Sequence, residues 1–220
     1  MSLTCFTRSD LDQLDQGYRR NLINCLSGFK SLCLCGSSDP QGRHNLSLIS
    51  SVIHVGANPP LMGMLMRPHV VPRHTLENIE ATGVFTLNHV SEAIYQRAHQ
   101  ASAKYPREQS EFEAVGLTPR TTALSPAPYV AEAPLQIGLR FRERHHILAN
   151  ATIFIVGDIQ ELHLPDAALS TDGYLDLAQV GSLTANGLDG YYRAERVGRL
   201  HYAKPDRPPK LLPSDEAEQG

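Results

Sequence analysis

The stretch RHTLENIEATGVFTLN, residues 73–88, decides how the chain folds. Thr75 to Thr82 (TLENIEAT) is predicted as a short helix, stopped by Gly83 at the position where a left-handed residue commonly ends one. Val84 to His89 then returns as a strand. Working upstream, Ser31 to Cys35 alternates as a strand and runs into the turn-rich segment from Gly36 to Gly42. A second upstream strand spans Asn45 to Val55 and a third Leu61 to Arg67, joined through Gly56–Pro60 as an antiparallel pair with a long connection. Downstream, Ser91 to Ser102 is helical, with Ile94, Ala98 and Ala101 on one side, as core packing requires. Ser110 to Gly116 adds a helical turn, and a Pro-rich connector, Leu117 to Pro128, follows. Strands are then expected at Pro134–Phe141, Ala151–Leu162 and Arg199–Tyr202.

The first thirty residues form a helical lead-in, with Leu11, Leu14, Tyr18, Leu22 and Cys25 at three- and four-residue spacings. At least six strands with short helices between them argue for one mainly β, antiparallel barrel domain over residues 1–205. The βαβ alternation of a parallel sheet is missing. Residues 206–220, charged and Pro-rich, are expected to be a disordered tail.

The chain has 220 residues, with Lys+Arg 20 against Asp+Glu 23 and a net charge of −3. That balance gives no electrostatic reason to expect nucleic acid. No apolar run approaches the roughly 20 residues needed to cross a bilayer, and the N-terminus carries no apolar signal core. A cytoplasmic protein with reduced thiols is expected. Cys33 and Cys35 share a strand face and read as packed thiols rather than a redox pair. No GxGxxG, GxxxxGK[ST], GxSxG or HExxH occurs, so a Rossmann site, a P-loop, a nucleophile elbow and a zincin centre are all unsupported. The adjacent pair His145-His146 would point to opposite faces of a strand, which is poor chelation geometry. No metal site is expected.

Asn45-Leu-Ser-Leu-Ile-Ser-Ser-Val52 places Asn45, Ser47, Ile49 and Ser51 on one strand face and Leu46, Leu48, Ser50 and Val52 on the other. A face of short hydrogen-bonding side chains can be a solvated surface or a ligand surface. About twenty residues on, Arg67, Arg73 and Thr75 gather at the entrance of the Thr75 helix. The unpaired N–H groups and positive end of a helix suit an anion there. The plainer alternative makes Thr75 an N-cap and Arg73 a solvated charge.

Taken together, N-x-S-x-x-S-S at 45–51, Asn58-Pro59-Pro60, the 73–88 stretch, SEFEAVGLT at 110–118 and Glu132-Ala-Pro134 resemble the flavin reductase-like, FMN-binding split-barrel family. The matches run in order from about Ser31 to Phe141. The resemblance implies a six-stranded Greek-key split barrel, a homodimer, and FMN near the subunit interface. By position it implies that Asn45, Ser47, Ser50 and Ser51 line the flavin ring and ribityl chain. Arg73, Thr75 and Arg67 would hold the phosphate, with His74 where members often have an acidic residue. It further implies an NAD(P)H-dependent flavin reductase-like oxidoreductase that transfers hydride to flavin N5. Electrons would pass on to flavin, a partner oxygenase or a small acceptor. The alternative is a non-catalytic FMN-binding electron carrier or flavin reservoir. Gly181 to Arg199 matches no part of the family pattern. Tyr191-Tyr192-Arg193 there would either close over a ligand or pack against the barrel, and packing is the expectation.

Overall fold

Ser50 and Ser51 bend what the sequence presents as one strand, and the bend closes a barrel. The structure, a computed structural model, describes residues 2–212. In chain order its first elements are α1 (Arg8–Gln13), α2 (Gln16–Cys25), β1 (Lys30–Ser31), β2 (Cys33–Ser38), β3 (His44–Ile49), β4 (Val52–Ala57), β5 (Pro60–Met66) and α3 (His74–Thr82). Next come β6 (Val84–His89), α4 (Tyr95–Gln100), α5 (Glu111–Val115), β7 (Pro119–Arg120) and β8 (Tyr129–Val130). The long pair β9 (Gln136–Ile147) and β10 (Thr152–His163) follows, then α6 (Leu177–Val180), β11 (Leu183–Asn186) and β12 (Gly190–Arg193).

The main sheet has the order β3-β2-β6-β9-β10-β5-β4, with every neighbouring pair antiparallel. Its two end strands, β3 and β4, are successive in the chain and separated only by Ser50 and Ser51. One bent run of chain therefore serves both edges, and the expected six-stranded split barrel is present with its sixth strand counted in two halves. At the bend the Ser51 hydroxyl donates to the Leu65 carbonyl (2.9 Å) and accepts from the Leu65 N–H (3.2 Å). A side chain thus stands in for the ladder bonds that the bend interrupts.

Two apolar clusters flank β2 and β3. Inside the barrel, Cys33, Cys35, Met64, Phe85, Leu87 and Ile155 meet Leu76 and Ile79 of α3, which lies across β2 and β3. On the other face Leu32, Leu34 and Leu46 meet Ile94 and Ala98 beside α4 and Phe112 of α5. Burial raises the Cys33 thiol to about 12 and pushes Cys35 higher still, so both remain protonated packing groups.

Gly83 ends α3 at φ 73°, as the sequence predicts. Gly36 lies inside β2 rather than in the expected turn. A Cβ there would come within 1.9 Å of the Pro128 carbonyl oxygen, so a glycine lets the connector's backbone press onto the strand. The turn itself shrinks to Asp39–Gly42. Asp39 caps it by accepting from the Gln41 and Arg43 N–H groups (3.0 and 2.9 Å). The β4–β5 connection is also shorter than expected, because Ala57 pairs directly with Pro60.

A second sheet, β1-β11-β12, occupies the region the family pattern does not cover. Tyr191 packs on Tyr95 and His99, with its hydroxyl 2.5 Å from His99 Nδ1, while Tyr192 and Arg193 are exposed. Arg199–Tyr202 forms no strand of the sheets. It folds back on residues 207–212 through His201 N–H to Lys210 and Leu212 N–H to Arg199, at 2.9 and 2.8 Å. The boundary drawn at 206 falls inside this paired segment, and residues 213–220 of the expected tail lie outside the described residues. No helix among the described residues is long and apolar enough to cross a membrane.

His89, at the end of β6, is held to about pH 4 by burial, with Nδ1 3.0 Å from the Ser182 hydroxyl. A folded-state value below the unfolded 6.5 means that protons favour the unfolded chain. Stability from this group is complete above about pH 6.5 and is lost as the pH falls towards 4, by at most about 3 kcal/mol. Urea midpoints followed across that range should show a steeper decline for the native protein than for His89→Gln. Parallel profiles would mean that other groups control acid unfolding.

Candidate functional site

Pairing of β2 with β3 sets Ser37 opposite Asn45 and Cys35 opposite Ser47, so all four face the barrel interior. The polar face that sequence alone leaves open between solvent and ligand is thus covered by α3. The N-terminal half of α3 meets it with Thr75 and Asn78, both buried. Asn45 Nδ2 donates to Thr75 Oγ1 at 2.9 Å, and Thr75 Oγ1 donates to Ser47 Oγ at 2.9 Å. Ser37 Oγ accepts from Asn45 Nδ2 and from Asn78 Nδ2, each at 3.3 Å. This buried polar knot ties the start of α3 to two strands. Each member is satisfied by another, which is the condition for burying such groups without a large penalty.

Thr75 is therefore neither the helix cap nor an unattached hydroxyl at the helix entrance. It is the second residue of α3, and its side chain points into the barrel. The N-cap is Arg73, half-buried, and no side chain caps α3. Arg73 donates through Nε to the Pro68 carbonyl (3.4 Å) and through its backbone N–H to Glu77 Oε1 (3.1 Å). His74 opens the helix, half-buried. Burial, and after it the nearby Arg107 guanidinium, hold its imidazole below the ordinary range, so it is neutral at pH 7. Arg67 follows β5 directly and is exposed; Ser50 sits half-buried at the bend. Ser51 is committed to Leu65, as described above.

The eight predicted residues accordingly divide into three adjoining groups. Asn45, Ser47 and Thr75 make the knot, Arg73 and His74 make the helix entrance with Arg67 on the approach to it, and Ser50 and Ser51 make the bend. Sequence reasoning missed Glu77 and Arg107. Glu77 gathers the entrance: it takes the Arg73 N–H, lies 3.0 Å from His69 Nε2 and pairs with Arg107. Arg107 comes from the connection between α4 and α5, thirty residues away, and no local pattern signals it. A cleft of about 10 Å³, the size of one water, opens nearby between Arg43, His44, His74, Asn78 and Arg107. On its wall Glu111 accepts the Leu46 N–H at 2.9 Å, and burial raises its carboxyl above the usual range.

On the outside of the barrel, Ile53 and Val55 of β4 and Leu65 of β5 leave an exposed aliphatic surface beside Ser51. An uncapped helix start with an arginine at the cap suits a phosphate. An exposed aliphatic surface next to hydroxyl groups suits a ring system. The residues present fit FMN.

Residues 29–180 match the flavin reductase like domain family. A split-barrel protein of Shewanella frigidimarina, assigned as a flavin reductase, shares 46% identity over 91% of this chain and all of its own, with a TM-score of 0.88. Flavoredoxin of Desulfovibrio vulgaris shares the fold at 23% identity, over 81% of this chain and 92% of its own, with a TM-score of 0.67. Nitrilotriacetate monooxygenase component B of Bacillus cereus shares it at 16%, over 89% and 98%, with a TM-score of 0.77.

Thr75→Val should cost about 1–3 kcal/mol of unfolding free energy, because it removes the hydroxyl that accepts from Asn45 and donates to Ser47, while Thr75→Ser should keep most of it. Thermal or urea unfolding of the two variants measures this. Equal stability in Thr75→Val and native protein would show that the knot holds nothing together.

Proposed function

Since the chain belongs to the flavin reductase-like domain family and is a flavin-related oxidoreductase, we propose that it binds FMN and passes electrons from NAD(P)H to free flavin, a partner oxygenase or a small acceptor. The observation that carries this proposal is the uncapped start of α3 with Arg73 at its cap, set beside the Asn45–Ser47–Thr75 knot within the matched region. Bound there, FMN would supply two-electron acceptor chemistry that no side chain of the site offers.

This chain's residues then bind and orient. The first-turn N–H groups and Arg73 hold the phosphate, with Arg67 on the exposed approach. Ser50 and Ser51, at the bend, meet the ring and the chain of hydroxyls. The knot itself works from beneath: it fixes where α3 begins, and so where the donors point. His74, neutral at pH 7, offers one donor and one acceptor to the phosphate and no charge. A homodimer is part of the proposal. The aliphatic surface formed by Ile53, Val55 and Leu65 is the kind that a second subunit covers. A fold shared with a monooxygenase component makes an oxygenase partner a reasonable electron acceptor.

An anaerobic visible spectrum of FMN-reconstituted protein, taken before and after NADH and then NADPH, tests the proposal. Rapid loss of the oxidised-flavin bands with one nucleotide is expected and would identify the donor. Bands that persist with both would leave a carrier or reservoir of FMN. In parallel, Arg73→Ala should weaken FMN binding by about tenfold or more, since a charge-assisted hydrogen bond contributes about 1.5–3 kcal/mol. Unchanged affinity in the folded variant would place the phosphate elsewhere.

A further inference from the structure

One carboxylate, in the first turn of α3, collects donors from two connections that are distant in the chain. Glu77 Oε1 accepts the backbone N–H of Arg73, the N-cap of the helix, at 3.1 Å and lies 3.0 Å from His69 Nε2. Glu77 Oε2 pairs with the guanidinium of Arg107. Arg73 and His69 belong to the connection between β5 and α3, and Arg107 to the connection between α4 and α5. Glu77 and Arg107 are half-buried and His69 is exposed, so a small solute can reach the cluster.

The donors gathered here are those that recognise phosphate: a guanidinium, an imidazole and a backbone N–H at a helix cap. An arginine fork meets a carboxylate and a phosphate through the same parallel hydrogen bonds, so either anion can fill the place. Arg107 is also near enough to His74, the first residue of α3, for its charge to lower the proton affinity of that imidazole. With Arg43, His44 and His74 it lines the one-water cleft beside the helix. The guanidinium thus stands close to a helix start that no side chain of the N-cap residue closes.

We infer that Glu77 holds the phosphate's place when no ligand is bound. Its carboxylate keeps Arg107, His69 and the Arg73 N–H turned toward the start of α3, and it yields them, Arg107 above all, when a phosphate binds. The inference rests on the cofactor proposal, which puts a phosphate at that helix start, and it adds the residue that regulates binding there. Charge gives Glu77 opposite effects on stability and on affinity. A carboxylate at the positive end of a helix stabilises the fold, and here it also pairs Arg107. The same carboxylate repels a phosphate ester, which carries about two negative charges near neutral pH. Transfer of Arg107 to the stronger anion offsets that repulsion, so the residue that steadies the helix start also restrains its affinity.

Glu77→Gln, made in the full chain, separates the two effects by sign, because it keeps the shape and removes the charge. A carboxylate that only braced the helix would leave a variant that melts earlier and binds FMN no better. As a stand-in anion, its loss should lower the melting temperature without ligand by about 2–4 °C. FMN should bind the variant about three- to fivefold more tightly, the size of a partly exposed charge pair. Riboflavin, with the same ring and no phosphate, should bind native protein and variant alike. Adding Arg107→Ala should remove at least half of the FMN gain, since the arginine to be transferred is then missing. Unchanged or weaker FMN affinity in Glu77→Gln, or an equal gain for riboflavin, would overturn the inference. Inorganic phosphate makes the test independent of the cofactor: it should raise the melting temperature of Glu77→Gln more than that of the native protein. That phosphate effect without any FMN binding would end the cofactor proposal and leave the inference standing. Native FMN binding with no gain in the variant would do the reverse. Should Glu77→Gln fail to fold, Arg107→Ala alone decides, with FMN affinity expected to fall about fivefold and riboflavin affinity to hold. Unchanged FMN affinity in that variant would overturn the inference.

Discussion

The structure depends on the bend at Ser50–Ser51. A sheet of seven strand segments has two edges, and unpaired edges invite unwanted association. Here both edges belong to one run of chain, residues 44–57, so turning that run joins the edges and removes them. A bend breaks the ladder locally, and the hydroxyl of Ser51 restores both lost bonds at Leu65. Closure in turn creates an inside, and that inside decides the fate of every alternating side chain from Asn45 to Val52. It also places the end of β5, and hence Arg67, beside the turn into α3.

Closure also explains why polar residues can lie beneath α3. Asn45, Ser37 and Ser47 face inward at the end of the barrel where the helix begins, while Ile49, Cys35 and Cys33 face inward farther along. The helix mirrors that gradient, with Thr75 and Asn78 above the polar end and Leu76 and Ile79 reaching the apolar interior. Polar meets polar and apolar meets apolar along one axis, which fixes both the position and the rotation of α3. A helix start placed so firmly is suited to binding, because its N–H groups need no ordering when a ligand arrives.

Much of this was legible in the sequence. The helix ending at Gly83, the strand after it and the packing face of Ala98 follow from local spacing and capping rules, which act within a few residues. The residues that gather at the start of α3 were legible too, through motif order. The structure differs where distant backbone intervenes. Gly36 reads as a turn residue because its contact with Pro128 is invisible locally. Thr75 reads as a phosphate ligand, or more plainly as a cap, because nothing in TLENIEAT reveals that Ser47 lies below it. Asn45–Val55 reads as one strand, and it is one; only the pairing of its halves with different partners shows the bend. Arg107 reaches its place through a connection with no regular pattern, so it has no sequence signal at all.

Electrostatics at the helix start set a condition on any anion that binds there. Glu77 already occupies the positive end of α3, accepting the Arg73 N–H and holding Arg107 and His69 around it. A carboxylate in that position stabilises the helix start without a ligand. A phosphate bound there as proposed would meet both donors and a like charge beside them. His74 does not ease this, since burial and Arg107 keep it neutral. A phosphate bound there as proposed would rely on fixed charges and backbone donors, in competition with Glu77 for its partners.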